Sequence, residues 1–335
     1  MKNSLKSFTR YEIIKPLASG GMGTVVKAKL KGVEGFEKVV AIKTLLARYA
    51  RDEEFVKRFV FEAKLVANLV HENIVQIYQL DRIDDEYFFV QEFVDGISLF
   101  DFIEFHKVLK RRLPVELAVF IASRAARALA YAHSRCDNDG RPLNIIHCDI
   151  CPHNILINKE GVPKLTDFGI AKAATMQDSG LVSGKLAFMS PEQCAAPQKL
   201  TSASDIYSLG VVLFYMLSNH YSRDVRADRQ LLIEQIRNNY VNWERLPEDL
   251  PDDLRNILQK MLALDPRNRY SGSGELARSL EYYIYKDGYG PTIVTLADYM
   301  KEIMPGRFKE QIFPVDKTMP LSGNDWEQTI RQNKL

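Results

Sequence analysis

The chain has 335 residues, 46% apolar and 26% charged, a globular balance that suits two domains or one two-lobed domain and excludes a mainly disordered chain. Lysine and arginine number 45 against 43 aspartates and glutamates, a net charge of +2. No basic field therefore makes nucleic acid or an anionic membrane a default partner. Four cysteines are too few for a disulfide scaffold and point to a reducing, cytoplasmic setting.

Residues 1–10 read as an N-terminal extension, charged but without the apolar core of a signal peptide. Residues 11–94 read as a β-rich part. Tyr11–Leu17 and Thr24–Leu30 are predicted strands joined by Ala18, Ser19, Gly20, Gly21, Met22 and Gly23. Lys31–Gly35 is a turn, and Lys38–Leu46 is β-branched and apolar. The period then changes, and Phe55, Phe59, Glu62, Val66 and Leu69 share one helical face. Ile74–Leu80 and Glu86–Phe93 read as two further strands. Residues 95–286 are helix-rich, with amphipathic segments at Leu99–Leu109, Pro114–His133, 203–218, 228–239, 252–263 and 273–286. Within them Ile206–Leu217 is the longest apolar stretch. It is shorter than the roughly 18 residues of a membrane span, and Ser208 and Gly210 interrupt it, so it reads as a buried helix. Residues 287–335 form a tail with one predicted helix, Leu296–Ile303, under a capping box of Thr295 and Asp298. A strand-rich part followed by a helix-rich part gives an α+β protein of two lobes, joined near Glu92–Gly96.

The glycine-rich segment is no Walker loop, because no Gly-Lys-Ser/Thr follows it. A strand rather than a helix follows it, which excludes a dinucleotide fingerprint. It serves either as a plain turn or as a phosphate cover, since glycines let backbone N–H groups approach a phosphate chain. Lys43 ends the strand Val39–Ile42, and Glu62 interrupts an apolar helical stripe. A carboxylate there needs a partner or an exit to solvent, and Lys43 is the candidate partner. Further on, His147, Cys148, Asp149, Cys151, His153 and Asn154 precede the strand Ile155–Ile157, with Asp167, Phe168 and Gly169 beyond a turn. Asp149 can accept a hydroxyl proton, and Asn154 and Asp167 offer oxygen ligands suited to magnesium. The rival is a zinc or redox site from His147, Cys148, Cys151 and His153. Against it, no second Cys-x-x-Cys and no His pair of the usual spacing appears.

The ordered set resembles the eukaryotic-type protein kinases, most closely the bacterial serine/threonine protein kinases. The motifs are Gly20–Gly23, Val40-Ala41-Ile42-Lys43, Glu62, His71–Ile74, His147–Asp149 with Asn154, and Asp167–Gly169. Ser190-Pro191-Glu192, Asp205–Gly210 and Asp265–Arg269 extend the match over roughly residues 11–284. The resemblance implies a kinase fold with a small β-rich lobe, residues 11–94, and a larger helical lobe, residues 95–286. It implies ATP and Mg²⁺ (or Mn²⁺) as cofactors and proteins as substrates, and it leaves dimerisation open. Ala18, Ser19, Gly20, Gly21 and Gly23 would cover the ATP phosphates, with Val25, Ala41 and Leu156 lining the nucleotide. Lys43 would contact the phosphates and Glu62 would orient it. Gln91 would be the gatekeeper, Glu92 and Phe93 the hinge, Asp149 the base, and Asn154 and Asp167 the metal ligands. Glu192 would pair with Arg269, Asp205 would hold the catalytic loop from beneath, and His147 and Phe168 would pack.

Four residues depart from the family pattern. Ala18 replaces the first loop glycine. Cys148 stands where an arginine usually receives an activation-segment phosphate. Cys151 stands where a lysine usually neutralises the transferred phosphate, and Lys185 stands where threonine is usual. In the usual fold the last two positions face the same aspartate, so a relocated lysine is expected. The expected activity is transfer of the γ-phosphate of ATP to serine or threonine hydroxyls. The alternatives are a pseudokinase, binding nucleotide without transfer, and a small-molecule phosphotransferase; Ser190-Pro191-Glu192 with Arg269 speaks against the latter.

Overall fold

The computed structural model describes residues 11–20, 23–45, 56–57, 60, 63–64, 66–83, 86–168, 183–195, 200–226 and 228–306. They fall into two compact units, one running up to Asn68 and including Gln76–Phe93, the other holding Leu69–Val75 and the chain from Val94.

The smaller unit is a five-stranded antiparallel sheet of β1 (Tyr11–Gly20), β2 (Gly23–Lys31), β3 (Glu37–Leu45), β4 (Ile77–Ile83) and β5 (Glu86–Glu92), in the order β1-β2-β3-β5-β4. Alternation along β2 and β3 decides which face is covered. Val26 and Ala28 pair with Ile42 and Val40. These four pack with Tyr11, Phe88 and Val90 into one cluster. The predicted strand Ile74–Leu80 starts later than expected. Residues 73–75 are drawn into the larger unit, where Val75 N–H donates to Leu165 O at 2.8 Å and Leu165 N–H to Asn73 O at 2.8 Å.

The larger unit holds a short antiparallel sheet of β6 (Gly96–Ser98), β7 (Ile155–Asn158) and β8 (Pro163–Leu165). Its helices are α1 (Leu99–Val108), α2 (Val115–His133), α3 (Ser183–Leu186), α4 (Pro191–Ala195), α5 (Ser202–Ser218), α6 (Arg229–Arg237), α7 (Asp252–Met261), α8 (Ser273–Tyr285) and α9 (Ile293–Ile303). α5 is the apolar stretch read from the sequence. Its Thr201 cap and Ser204 bond reciprocally, and every residue from Ser204 to Ser218 is buried. Gly210 lets α7 approach, since a Cβ there would lie 2.9 Å from Met261 Cβ. Among the described residues no helix is long and apolar enough to cross a membrane. α9 begins three residues before the predicted start. Thr292, not Thr295, is the cap: it accepts from Thr295 N–H at 3.2 Å, and Asp298 pairs instead with Lys301. Burial of Leu296, Ala297 and Met300, with His106 Nε2 bonded to Tyr299 Oη at 2.8 Å, fixes that start by docking. Gly161, at φ +81°, leaves room for it, because a Cβ would fall 2.0 Å from Ile293 O.

Candidate active site

The segment 147–154 is held from below by Asp205 near the start of α5. Asp205 Oδ2 accepts from His147 N–H at 2.8 Å and Oδ1 from Cys148 N–H at 2.9 Å. His133 Nε2 lies 2.8 Å from Oδ2. Three partners satisfy a carboxylate only 1% exposed. Cys148 sits at φ 60°, a left-handed conformation uncommon outside glycine. Its two backbone bonds hold it there, because its carbonyl also accepts from Gln193 Nε2 at 2.8 Å. Gln193 in turn takes Ser190 N–H on its Oε1 at 2.9 Å.

His147 ties this segment to the one bearing Asp167. Its Nε2 is 3.0 Å from Thr166 O, and its Nδ1 accepts from Asp149 N–H at 3.3 Å. That pattern requires a neutral ring protonated on Nε2. Complete burial pushes its pKa down, outweighing the carboxylates of Asp205 and Asp149. The ring packs on Phe168 at 4.4 Å, the packing role expected for both. Asp167 is also left-handed, at φ 58°. Asn154 closes a 3₁₀ turn and donates through Nδ2 to Asp149 O at 2.8 Å and to Asp149 Oδ2 at 2.7 Å. Both side-chain bonds use the nitrogen, which leaves Oδ1 to serve as a hard oxygen donor.

Lys185, on α3, brings its Nζ to 3.9 Å from Asp149 Oδ2. Burial disfavours its charge, but Asp149, and after it Cys151 and Asp167, hold its pKa above the usual lysine value. Cys151 is buried, and a thiol there supplies no cation. Glu192 and Arg269 form a paired fork at 2.6 and 3.0 Å. Burial opposes the Glu192 carboxylate, yet the Arg269 guanidinium holds its pKa below the usual range.

In the smaller unit, strand register gathers several predicted nucleotide residues. Lys43 lies opposite Val25 on β2 and Phe89 on β5, and Ala41 lies opposite Gln91. Paired residues share a face, so Val25, Ala41, Lys43 and Gln91 occupy one face of the sheet. Ala18, Ser19, Gly20 and Gly23 belong to the β1–β2 hairpin, with Gly20 opposite Gly23. Glu92 is bonded at both ends, its N–H to Gln76 O at 2.8 Å and its Oε2 to Gln76 N–H at 3.2 Å. Lys27 Nζ stands 4.2 Å over the Phe93 ring. Leu156 lies in β7 opposite Ser98 and Lys164. Gly21 and Glu62 lie outside the described residues, so the expected Lys43–Glu62 pair is not described.

Among the described residues no three His, Cys, Asp or Glu side chains cluster to hold a metal ion. The zinc alternative at His147, Cys148, Cys151 and His153 therefore finds no support. His153 instead stacks on Phe100 at 4.0 Å. Sequence reasoning missed Gln193, Thr166 and His133. Each acts through a backbone atom or a partner at least 19 positions away, and no local pattern marks such a residue.

Residues 11–280 match the family model of the protein kinase domain. The tyrosine-protein kinase MasK of Myxococcus xanthus is 32% identical over 319 residues, taking in 94% of this chain and 49% of its own. The serine/threonine-protein kinase PrkC of Bacillus subtilis is 35% identical over 275 residues, 81% of this chain and 40% of its own. The chain thus spans about half the length of these curated relatives, or less. Among solved structures, the kinase domain of Mycobacterium tuberculosis PknI is similar in fold, with a TM-score of 0.62 and 24% identity. The match takes in 82% of this chain and 95% of that one.

Proposed function

The chain belongs to the protein kinase domain family, and from that premise we propose that it transfers the γ-phosphate of ATP to serine or threonine hydroxyls of cytoplasmic proteins. On this reading Lys185 replaces the usual catalytic-loop lysine. The observation that carries it is the 3.9 Å approach of Lys185 Nζ to Asp149 Oδ2, beside a position where Cys151 offers no cation.

Asn154 and Asp167 would hold the metal, and their amide and carboxylate oxygens suit magnesium or manganese. Bound metal–ATP supplies the activated phosphoryl group and the charge that balances its oxygens. Asp149 orients the attacking hydroxyl and accepts its proton. Asn154 Nδ2, bonded to Asp149 Oδ2 at 2.7 Å, fixes the carboxylate for that task. Lys185 places a cation where negative charge builds. In the smaller unit Lys43 would contact the phosphates.

Serine and threonine are favoured by relatives such as PrkC, designated a serine/threonine-protein kinase, whereas MasK is designated a tyrosine-protein kinase. Phosphoamino-acid analysis of the product decides between them. The pseudokinase reading draws on Cys148 and Cys151, and the intact Asp149–Asn154 arrangement weighs against it. The test incubates the purified chain with labelled ATP and magnesium, alone and with a basic and an acidic generic protein. Asp149→Asn should keep ATP affinity and lower transfer by about 10²–10⁴-fold. No transfer by wild type would favour the pseudokinase, and full turnover by the variant would remove Asp149 from the mechanism.

A further inference from the structure

A cavity of about 770 Å³ lies at the end of α5 in the larger unit, within the size range of ligand sites. Lys107, Arg112, Arg226, Arg245 and His220 line it, against the acids Asp224 and Glu244. Some of these cations build the wall. Lys107 Nζ donates to Glu104 Oε1 at 2.6 Å and to Tyr215 Oη at 2.7 Å. Arg245 donates to Tyr221 O at 2.6 Å and to Arg223 O at 3.2 Å. Arg112 and Arg226 differ. Both are exposed, and neither guanidinium makes an ion pair among the described residues. The field inside is positive. Besides burial, Arg245, Lys107 and Arg112 all push the His220 pKa down.

One acceptor in the cavity wall lacks a donor. Asn219, left-handed at the end of α5, donates its Nδ2 to Arg111 O at 2.8 Å. Its Oδ1 is buried with no partner. Buried acceptors normally find donors. Inorganic phosphate or a nucleotide phosphate brings mainly acceptors. A peptide brings backbone N–H groups, and an acidic peptide adds carboxylates for the arginines. The near-neutral chain offers no extended basic track for nucleic acid.

Tyr221 connects this cavity to the catalytic segment. It packs on Phe188 and Tyr215 at 5.7 and 4.7 Å. A Cβ on Gly184, the residue before Lys185, would lie 3.3 Å from Tyr221 Oη. Arg223 Nη1 donates to Ala187 O at 2.7 Å. We propose that the cavity seats acidic residues flanking the phosphoacceptor hydroxyl, so that the chain selects acidic segments of its protein substrates. This rests on the phosphotransfer reading above.

The test uses serine peptides flanked by glutamate, glutamine, lysine or phosphoserine, read by fluorescence anisotropy and by kcat/KM with ATP. The glutamate peptide should bind and react roughly three- to tenfold better than the glutamine one, the size of two exposed charge pairs. The advantage should shrink in high salt. Arg112→Glu/Arg226→Glu should reverse the order in favour of lysine flanks, and the milder Arg226→Gln should reduce the glutamate preference. No preference for glutamate, or a preference that survives the double substitution, overturns the proposal. So does binding of the phosphoserine peptide alone. Selective binding of the glutamate peptide without transfer keeps the cavity assignment and removes the phosphotransfer reading. Transfer without selectivity does the reverse.

Discussion

Replacing Lys185 by threonine removes the ammonium that lies 3.9 Å from Asp149 Oδ2. At that distance and an effective dielectric of 20, a unit charge pair is worth about 4 kcal/mol. The Lys185 side chain is 35% exposed, so solvent screens part of this. An exposed pair retains only about 0.2–1 kcal/mol, and an intermediate site should retain about 2 kcal/mol. That corresponds to a kcat lower by roughly 30-fold, at about 1.4 kcal/mol per factor of ten. The ATP KM should stay within about twofold, because the charge is needed chiefly as the phosphoryl group moves. Adding Cys151→Lys should restore part of the loss by returning a cation through the usual position. Cys151→Lys alone should help little, since two ammonium groups would then compete beside one carboxylate. Steady-state rates of wild type, both single variants and the double variant complete a cycle that reads the coupling directly. Strictly additive effects, or a Lys185→Thr enzyme with wild-type kcat, would reduce Lys185 to an ordinary surface lysine.

Asp205→Ala should lower stability by about 3 kcal/mol and the melting midpoint by roughly 6–12 °C, with activity lost as well. It strands the His147 and Cys148 N–H groups; an unchanged midpoint in a thermal melt would remove this anchoring role. Thr175→Ala/Ser179→Ala/Ser183→Ala should keep most activity. Cys148 cannot receive a phosphate, and the Arg124 guanidinium is already paired with Glu281 at 2.5 Å; equal collapse of the triple variant and of dephosphorylated wild type would refute this. Burial holds the pKa values of His71, His106, His147, His153 and His220 below the usual 6.5. The unfolded chain therefore binds more protons just below pH 6.5, so stability should fall with pH from about 6.5 toward the lower folded values. Denaturant midpoints flat from pH 7.5 to 5.5 would contradict it.

Much of the fold follows from local pattern. Alternation in Val26–Ala28 and Val40–Ile42 marks the covered face of the sheet, and the same alternation puts Lys43, Ala41 and Val25 together on the other. The apolar run Ile206–Leu217 names the buried helix because it carries no charge and its few hydroxyls bond to neighbouring side chains. The segment 147–154 was legible as a motif, but its support was not. Gln193 acts on a carbonyl 45 positions away, and His133 on a carboxylate 72 positions away. A single sequence carries no periodicity for such pairs. The start of α9 failed for a related reason. Thr292 and Thr295 are equally good caps by composition, and the choice was made by the docking of Leu296, Met300 and Tyr299 on the rest of the larger unit. The cationic cavity is assembled from residues between 107 and 245, so composition averaged it away.

Cys148 separates two roles that a single position can carry. Its backbone role depends on Asp205 and Gln193, which bind its N–H and C=O and hold its left-handed conformation. That role is indifferent to the side chain, so the loop keeps its shape although no arginine is present to receive a phosphate. The charge beside Asp149 then comes from a turn that must itself be held in place. Phe188 N–H donates to Lys185 O at 3.2 Å, Leu186 and Ala187 are buried, and Arg223 grips Ala187 O. Arg223 is fully buried and also bonds Tyr240 O and the Tyr207 hydroxyl. On the proposed reading, this internal arginine fixes the segment that a phosphate–arginine pair would otherwise order. If the lysine has moved from the catalytic loop to that segment, phosphotransfer would depend on the position of the turn, which would connect catalysis to the wall of the cationic cavity.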